Sequence, residues 1–258
     1  MQEHLLFERR DGTLFLTLSN PAAKNALGPA LYDALTKAVS DATHDDAVRC
    51  VILSGADGVF SAGGNLVRLL GNRSRPRSVQ ADSIEGLNRC TAAIRACPKP
   101  VIAAVEGFAA GAGFSIALAC DFIIAGTNAK FVMSYIKVAL TPDGGGAWEL
   151  VRTLPKAVVS DALLNGVALE AGQLAAYGVV NRTVSPGSAI DAATELAQSL
   201  GQRSPHALAL MKQLIEQAGS QDRTTYLEHE KTTFLDALYH RDGGEGITAF
   251  LEKRQASY

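Results

Sequence analysis

The sequence predicts an α/β protein in which short buried strands alternate with helices, followed by a largely helical C-terminal part. Two continuous apolar runs, Cys50 to Ser54 and Val101 to Val105, have the length and composition of buried strands. From Pro155 onward the pattern is almost entirely helical, apart from a strand-like run at Val179 to Val184. The chain has 258 residues and is 47% hydrophobic, so it can bury a full core.

The first elements follow from local patterns. The runs Leu5 to Arg9 and Gly12 to Leu18 predict a hairpin, because the Asp11-Gly12 pair between them favours a tight turn. Pro29 begins an amphipathic pattern that predicts a helix to about Ala42. The chain therefore starts with two strands and a helix before the first buried strand.

The middle of the chain continues this alternation. The stretch Gly71 to Ser78 is rich in Gly, Asn, Arg, Ser and Pro, which predicts an exposed loop before a helix at Val79 to Ala96. A glycine-rich turn, a small-residue helix through Ala119 and a strand at Asp121 to Ala125 follow the second buried strand. The chain is predicted to end in two polar helices, Gln221 to His240 and Gly246 to Arg254.

Composition disfavours several classes of protein. The formal net charge is −2, and no run of basic residues is longer than the loose cluster of Arg73, Arg75 and Arg77, which argues against nucleic-acid binding. The longest apolar runs fall far short of the roughly 20 residues that a membrane-spanning helix needs. The segment Met1 to Arg10 has neither a signal-type apolar core nor a transit pattern, so we expect a cytoplasmic protein that does not cross a membrane.

The cysteines and histidines show no spacing typical of a metal or redox site. The four cysteines lie singly in apolar or helical stretches, which predicts reduced core thiols. The five histidines fall in polar or terminal stretches without ligand spacing, so none is assigned to a metal or to catalysis. These residues are Cys50, Cys90, Cys97 and Cys120, and His4, His44, His206, His229 and His240.

Two glycine-rich segments each follow a predicted buried strand and precede a helix. They are Phe60 to Leu66 and Gly107 to Ser115. Small residues let a ligand approach the backbone, and N–H groups near a helix start are unpaired and partly positive. Each segment alone could equally serve tight turns and close packing. Together, they could direct two N–H groups at one oxygen atom.

A dinucleotide site is an alternative for the second segment, since Gly111-Ala-Gly113 follows a strand and opens a helix. Residue 116 is Ile instead of the third glycine of that motif, and the turn after Val105 is too long. The next acidic residue, Asp121, also comes much sooner than the roughly 20 residues expected. These departures disfavour nicotinamide binding.

Four motifs, in order along the chain, resemble the crotonase family of enoyl-CoA hydratases and isomerases. They are Asn20 to Leu27, Phe60 to Leu66, Lys99 to Gly107 with Gly111-Ala-Gly113 and Cys120-Asp121, and Glu245 to Arg254. The resemblance implies a core of ββα units over residues 1–200 and a helical trimerisation region over residues 201–258. A homotrimer or a dimer of trimers is expected. The implied substrate is a coenzyme A thioester, with no permanently bound cofactor.

The resemblance also implies positions for the site. The N–H groups of Gly64 and Ala112 would form an oxyanion hole; alanine in place of the usual glycine at 112 keeps the backbone donor. Lys24, Ala26, Leu27 and the Ala62 backbone would bind coenzyme A, and Phe250 and Lys253 would reach in from a neighbouring subunit. The implied set of substrate-binding residues is completed by Leu66, Tyr135 and Trp148.

At two positions the sequence departs from the hydratase pattern. Ser115 and Tyr135 stand where that pattern has its two catalytic glutamates. Neither side chain matches the basicity of a carboxylate near neutral pH, so ordinary hydratase activity should be weak or absent. Both residues could simply be structural, Ser115 as a small helix residue and Tyr135 as a packed aromatic.

The remaining acid is Asp143, at the position where several isomerase-type members of the family keep theirs. Beside Pro142 and three glycines, it could instead be a turn or helix-cap residue. In an acyl pocket beside Phe114, Tyr135 and Trp148, poor solvation would raise its pKa and favour proton transfer.

Three functions stay open. An isomerase is favoured, with a resemblance to members that rearrange epoxide or oxepin CoA esters. Some aryl-CoA dehalogenases place an aspartate at about the same point, so Asp143 alone does not select between these reactions. The alternatives are a hydratase with a different acid/base set and a non-catalytic protein that binds CoA esters.

Overall fold

The computed structural model describes residues 4–258. Met1 to Glu3, part of the N-terminal segment without a signal pattern, lie outside that range. The strands are β1 (His4–Arg10), β2 (Thr13–Ser19), β3 (Cys50–Gly55), β4 (Val101–Val105), β5 (Phe108–Ala110), β6 (Phe122–Gly126), β7 (Lys130–Val132), β8 (Ala168–Glu170) and β9 (Arg182–Val184). The helices are α1 (Pro29–Thr43), α2 (Leu66–Asn72), α3 (Arg77–Ala96), α4 (Ala112–Ala119), α5 (Gly146–Thr153), α6 (Lys156–Leu164), α7 (Ala171–Ala176), α8 (Ala189–Gly201), α9 (Pro205–Ala218), α10 (Arg223–Tyr239) and α11 (Arg241–Glu252).

The larger sheet has six strands in the order β1-β2-β3-β4-β6-β9. β1 and β2 form the predicted antiparallel hairpin, and the remaining pairs are parallel. Both faces of β3, β4 and β6 are covered, as parallel sheets require. On one face, Ile52, Ile102 and Ile124 pack with Ala189 and Ala193 of α8. The opposite face contributes to the main core, which contains apolar residues of α1, α3 and α4. This alternation explains the continuous apolar runs.

The smaller sheet has three short strands in the order β5-β7-β8 and was not predicted from the sequence. The change of direction between β4 and β5 requires Gly107, whose φ is +60°. A Cβ there would lie 2.6 Å from the Gly58 carbonyl oxygen. β4, β5 and α4 thus form a ββα unit, the arrangement that the resemblance predicted.

The predicted helices and strands are present, with four corrections. The loop expected at Gly71 to Ser78 is shorter, because α2 extends to Asn72 and α3 already begins at Arg77, directly after Pro76. β8 interrupts a region that was expected to be helical, because its three residues are too few to show strand alternation. The strand expected at Val179 to Val184 covers only Arg182–Val184. The last helix, α11, begins at Arg241 instead of the expected Gly246, because the His240 side chain caps it by accepting a hydrogen bond from the Asp242 N–H.

The C-terminal helices α9, α10 and α11 carry large apolar side chains that are exposed in the single chain. They include Met211, Ile215, Phe234, Tyr239, Phe250 and Leu251. The oligomerisation of residues 201–258 and the boundary at residue 200 stay predictions. Within residues 4–258, none of the helices combines the length and the apolar character needed to cross a membrane.

Candidate active site

The two glycine-rich segments lie side by side. Ser61 and Ala109 form a parallel bridge, in which the Ser61 N–H donates to Phe108 and the Ala110 N–H donates to Ser61, at 2.8 and 2.9 Å. A Cβ on Gly63 would lie 2.5 Å from the Ala110 carbonyl oxygen, and one on Gly113 would lie 2.6 Å from the Ser61 Cβ. Glycine is therefore required at both positions for the segments to approach this closely.

A network of hydrogen bonds fixes the backbone around Gly64. The Ser61 hydroxyl donates to the Asn25 carbonyl at 2.8 Å and accepts from the Gly63 N–H at 3.1 Å. The Leu27 N–H donates to the Gly63 carbonyl at 2.7 Å, and the Asn65 N–H donates to the Leu27 carbonyl at 3.2 Å. The peptide groups on both sides of the Gly64 N–H are thus held in place.

Within residues 4–258, neither the Gly64 N–H nor the Ala112 N–H donates a hydrogen bond to the protein. Ala112 is the first residue of α4, where helix geometry leaves the N–H unpaired at the positive end of the helix. The two donors predicted for the oxyanion hole are therefore available to a ligand oxygen on adjacent segments.

Tyr135 lies against the start of α4. It belongs to a short 3₁₀ turn, Ser134–Val138. Its hydroxyl oxygen is 3.3 Å from the place that a Cβ on Gly111 would occupy. Gly111 has a φ of +50°, so both its conformation and its surroundings favour glycine. Tyr135 is thereby placed next to the residue that precedes the Ala112 N–H.

Asp143 is hydrogen-bonded through both its side chain and its backbone. The Tyr135 hydroxyl donates to Asp143 Oδ1 at 2.6 Å. The Ser115 hydroxyl donates to the Asp143 carbonyl at 2.9 Å. These contacts connect the loop that carries Asp143 to α4, whose first N–H belongs to Ala112. The sequence-predicted acid therefore lies in the neighbourhood of the predicted oxyanion hole.

Burial has the largest effect on the pKa values of Asp143 and Tyr135. It raises the pKa of the Asp143 carboxyl, although the Tyr135 hydrogen bond and the positive charge of Arg68 act in the opposite direction. Burial, followed by the charge of Asp143, raises the pKa of the Tyr135 hydroxyl. Tyr135 consequently stays a hydrogen-bond donor, and Asp143 is a stronger base than an exposed aspartate.

The residues predicted to bind coenzyme A near the hole are brought together. The Ala62 N–H donates to the Lys24 carbonyl at 2.9 Å, which places the two residues on neighbouring segments. Lys24 and Ala62 are exposed, whereas Ala26 and Leu27 are buried beneath them. Leu66 is exposed at the start of α2. Their contacts with coenzyme A stay predictions.

Three other predicted residues are Trp148, Phe250 and Lys253, all of them exposed. The Trp148 ring is about half exposed and is contacted by the guanidinium groups of Arg152 and Arg95, whose carbons lie 4.4 and 5.3 Å from the ring centroid. Phe250 is 83% exposed near the end of α11, and Lys253 is the residue that ends this helix. Their roles in substrate binding stay predictions that need a ligand or a neighbouring subunit to test.

Sequence reasoning did not single out Asn25, Ser61, Arg68 or Ser83. Asn25 is buried, accepts from the Asn20 N–H and donates to the carbonyls of Ala56 and Val59. Asn25 and Ser61 lie inside the recognised motifs, but their roles depend on partners that are distant in the sequence.

Phe114, which was expected beside the acyl pocket, is fully buried against Phe131. In the described part of the chain, no group of three or more His, Cys, Asp or Glu side chains could hold a metal ion.

Comparison with known proteins identifies the family. The chain matches the Enoyl-CoA hydratase/isomerase family over residues 8–258. The crystal structure of an enoyl-CoA hydratase from Polaromonas sp. JS666 is 49% identical, with a TM-score of 0.97 over 98% of this chain and 99% of that one. The 1,2-epoxyphenylacetyl-CoA isomerase of Escherichia coli (strain K12) is 34% identical over 100% of this chain and 99% of its own length. The 2,3-dehydroadipyl-CoA hydratase of the same strain is 32% identical over 98% of each chain. The chain therefore belongs to the enoyl-CoA hydratase/isomerase, or crotonase, family of enzymes that act on CoA thioesters.

Proposed function

We propose that this enzyme moves a proton, and with it a double bond, along the acyl group of a CoA ester, with Asp143 as acid and base. The observation that carries this proposal is the hydrogen bond of 2.6 Å between the Tyr135 hydroxyl and the half-buried Asp143 carboxylate. It places a carboxylate of raised basicity next to the segment that bears the Ala112 N–H. The 1,2-epoxyphenylacetyl-CoA isomerase among the relatives supports an isomerase assignment.

The two free N–H groups would bind the thioester oxygen. When Asp143 removes a proton from carbon, the electron pair of the C–H bond moves toward this oxygen and forms an enolate. Donors already in place stabilise that charge without reorganisation, and the loss of one donor typically costs about 3 to 4 kcal/mol. Asp143 would then return the proton to another carbon, so that the double bond changes place and the atoms of substrate and product are the same.

A hydratase with a different acid/base set is the second candidate. The Polaromonas protein, which shares 49% of its residues with this chain, is described as an enoyl-CoA hydratase. In that reaction, Asp143 would position water and transfer its proton. The hydroxyl groups of Ser115 and Tyr135 are both engaged with Asp143, which favours proton transfer by the carboxylate over a role for either hydroxyl as a base.

The test is product analysis in deuterated water with 2-enoyl-CoA, 3-enoyl-CoA and ring-type CoA esters. We expect isomerised products without added water, with deuterium at carbon only to the extent that the proton on Asp143 exchanges with solvent before it is returned. Products that gain the mass of water without any migration of the double bond would instead establish a hydratase. Binding of CoA esters without turnover of any of them would establish a binding protein.

Replacement of Tyr135 by Phe is expected to move the acid side of the pH profile of kcat/KM to higher pH. The Tyr135 hydrogen bond favours the ionised form of Asp143, so its removal raises the pKa of Asp143 further. Asp143 must be ionised to accept a proton, and activity is therefore gained at higher pH than in the unmodified enzyme. Hydrogen bonds to charged groups contribute about 1.5 to 3 kcal/mol, enough for a measurable shift.

Tyr177→Phe provides the control for this prediction, because Tyr177 is exposed directly after α7, which packs against β8 and β9. Its pH profile should match that of the unmodified enzyme. A profile of Tyr135→Phe that moves to lower pH, or does not move, would contradict the assignment of Asp143 as the titrating base.

A further inference from the structure

Arg68 on α2 has a guanidinium group that the protein only partly satisfies. Its Nη1 donates to the Ser83 hydroxyl on α3 at 3.0 Å. Its Nε is buried and has no hydrogen-bond partner within residues 4–258. None of the ion pairs formed in that part of the chain includes Arg68. The buried Nε–H is thus left without an acceptor, and the guanidinium forms no ion pair within 4.0 Å in the described residues.

The position of Arg68 relates it to the candidate site. Ser83 and Leu87 are four residues apart and therefore lie on one face of α3. The Leu87 Cδ2 would be 2.7 Å from a Cβ on Gly144, the residue after Asp143. The charge of Arg68 also acts on the Asp143 carboxyl. The guanidinium is consequently held beside the loop of Asp143, on the side formed by α2 and α3.

The residue after Arg68 on α2, Leu69, places an apolar side chain beside Gly64. The Leu69 Cδ1 is 3.8 Å from the place of a Cβ on Gly64. A ligand bound at the Gly64 N–H would contact this apolar side chain, and the neighbouring residue of the same helix carries the guanidinium. The two side chains suit an acyl group that has both methylene groups and a polar group.

The free edge of the guanidinium indicates which polar group it would bind. Because Nη1 is used by Ser83, Nε and Nη2 remain, and no described hydrogen bond uses Nη2. These two N–H groups point in parallel and match the two oxygens of a carboxylate. A buried donor without an acceptor costs about 1 to 3 kcal/mol, and more when it is charged, which a carboxylate on the ligand would relieve.

We propose that Arg68 binds a carboxylate at the far end of the acyl group, so that the preferred substrates are CoA esters of dicarboxylic acids. This inference rests on the proposed function, since it requires the thioester to lie at Gly64 and Ala112. Arg68 would be a residue that determines specificity, while proton transfer stays with Asp143.

The experiment compares the affinities of saturated CoA esters, which cannot react, by calorimetry. The ω-carboxyacyl esters from succinyl to suberyl are each paired with the neutral acyl ester of the same carbon count. At the best chain length, the unmodified protein is expected to bind the carboxylated ester about 10- to 100-fold more tightly than its neutral partner. Arg68→Gln should remove this preference and leave the affinity for neutral esters unchanged.

The matched control is Arg73→Gln, because Arg73 is an exposed arginine at the end of the same helix. It should keep the full preference. A preference for the carboxylated ester that persists in Arg68→Gln would overturn the inference. So would the absence of this preference from the unmodified protein, a result that does not depend on whether a variant folds. If an ω-hydroxyacyl ester binds as tightly as the ω-carboxyacyl ester, the ligand group recognised by Arg68 need not be charged, and the proposal of a carboxylate would be wrong.

Failure of the proposed function gives different results. If no CoA ester binds, the proposed function itself is wrong. If the carboxylate preference is found but no ester in the reactive panel turns over, only the catalytic proposal fails, and the role of Arg68 in binding stands.

Discussion

Asp143→Asn is expected to lower kcat/KM by about 10²- to 10⁴-fold, the usual contribution of a general acid or base. The amide cannot accept a proton from carbon, but its oxygen can still accept the Tyr135 hydrogen bond that now reaches Asp143 Oδ1. The loop should therefore keep its position. Steady-state kinetics on a substrate that the unmodified enzyme turns over measure the loss, and calorimetry should show unchanged affinity for a saturated CoA ester.

The stability of this variant supplies a second measurement. Burial raises the pKa of Asp143 in the folded protein, so the folded state binds its proton more tightly than the unfolded state does. The contribution of Asp143 to the free energy of unfolding therefore falls as the pH rises from the ordinary pKa of an aspartate through the raised pKa of Asp143. At neutral pH the ionised carboxylate destabilises the fold, and Asp143→Asn should have an equal or higher Tm.

Asp82→Asn is the matched control, because Asp82 is an exposed aspartate on α3. It should leave both kinetics and Tm unchanged. Undiminished turnover by Asp143→Asn would refute Asp143 as the base. A lower Tm together with lost CoA ester binding would show that the residue is mainly structural.

Gly63→Ala is expected to lower kcat by about 10²- to 10³-fold, similar to the loss of one donor of an oxyanion hole. Gly63 has a φ of +86°, and an added Cβ would collide with the Ala110 carbonyl oxygen at 2.5 Å. The two segments would have to separate, and the adjacent Gly64 N–H would move relative to the Ala112 N–H. Kinetics and thermal unfolding measure the two consequences, and both kcat and Tm should fall.

Gly58→Ala separates the collision from simple backbone strain. Gly58 also has a positive φ, +69°, but a Cβ there would have nothing within 4 Å. Gly58→Ala should lower the free energy of unfolding by only about 1 to 2 kcal/mol, the strain of an alanine in the left-handed conformation, and should leave kcat nearly unchanged. If the two variants lose activity equally, close contact between the segments is not what maintains the site.

The parts of the fold that could be predicted are those with a local signal. β3 and β4 are continuous apolar runs, α1 begins at a proline with an amphipathic pattern, and the hairpin turn contains Asp11-Gly12. β5, β7 and β8 could not be predicted, because three residues are too few for an alternating pattern and their pairing is set by partners distant in the sequence.

The candidate site likewise has features with a signal in the sequence and features without one. The glycine segments and the candidate residues Gly64, Ala112 and Asp143 came from ordered motifs and the family resemblance, and their roles stay predictions. The hydrogen bond between Tyr135 and Asp143 depends on the turn between them, and the contact of Arg68 with Ser83 depends on how α2 packs on α3. Tyr135 was expected near the acid from the family resemblance, but no periodicity in the sequence encodes these two hydrogen bonds, which became known only from the structure.

The surroundings of Ser115 restrict how this enzyme's chemistry could change by mutation. Ser115 is buried, and a Cβ on Gly146 would lie 2.4 Å from its hydroxyl, while one on Gly144 would lie 3.2 Å from its Cβ. A glutamate at residue 115, as in the hydratase pattern, needs volume that the loop of Asp143 already fills. A glutamate at residue 115 would therefore fit only if the loop of Asp143 moved. Ser115→Glu alone is consequently not expected to turn this site into one of the hydratase pattern.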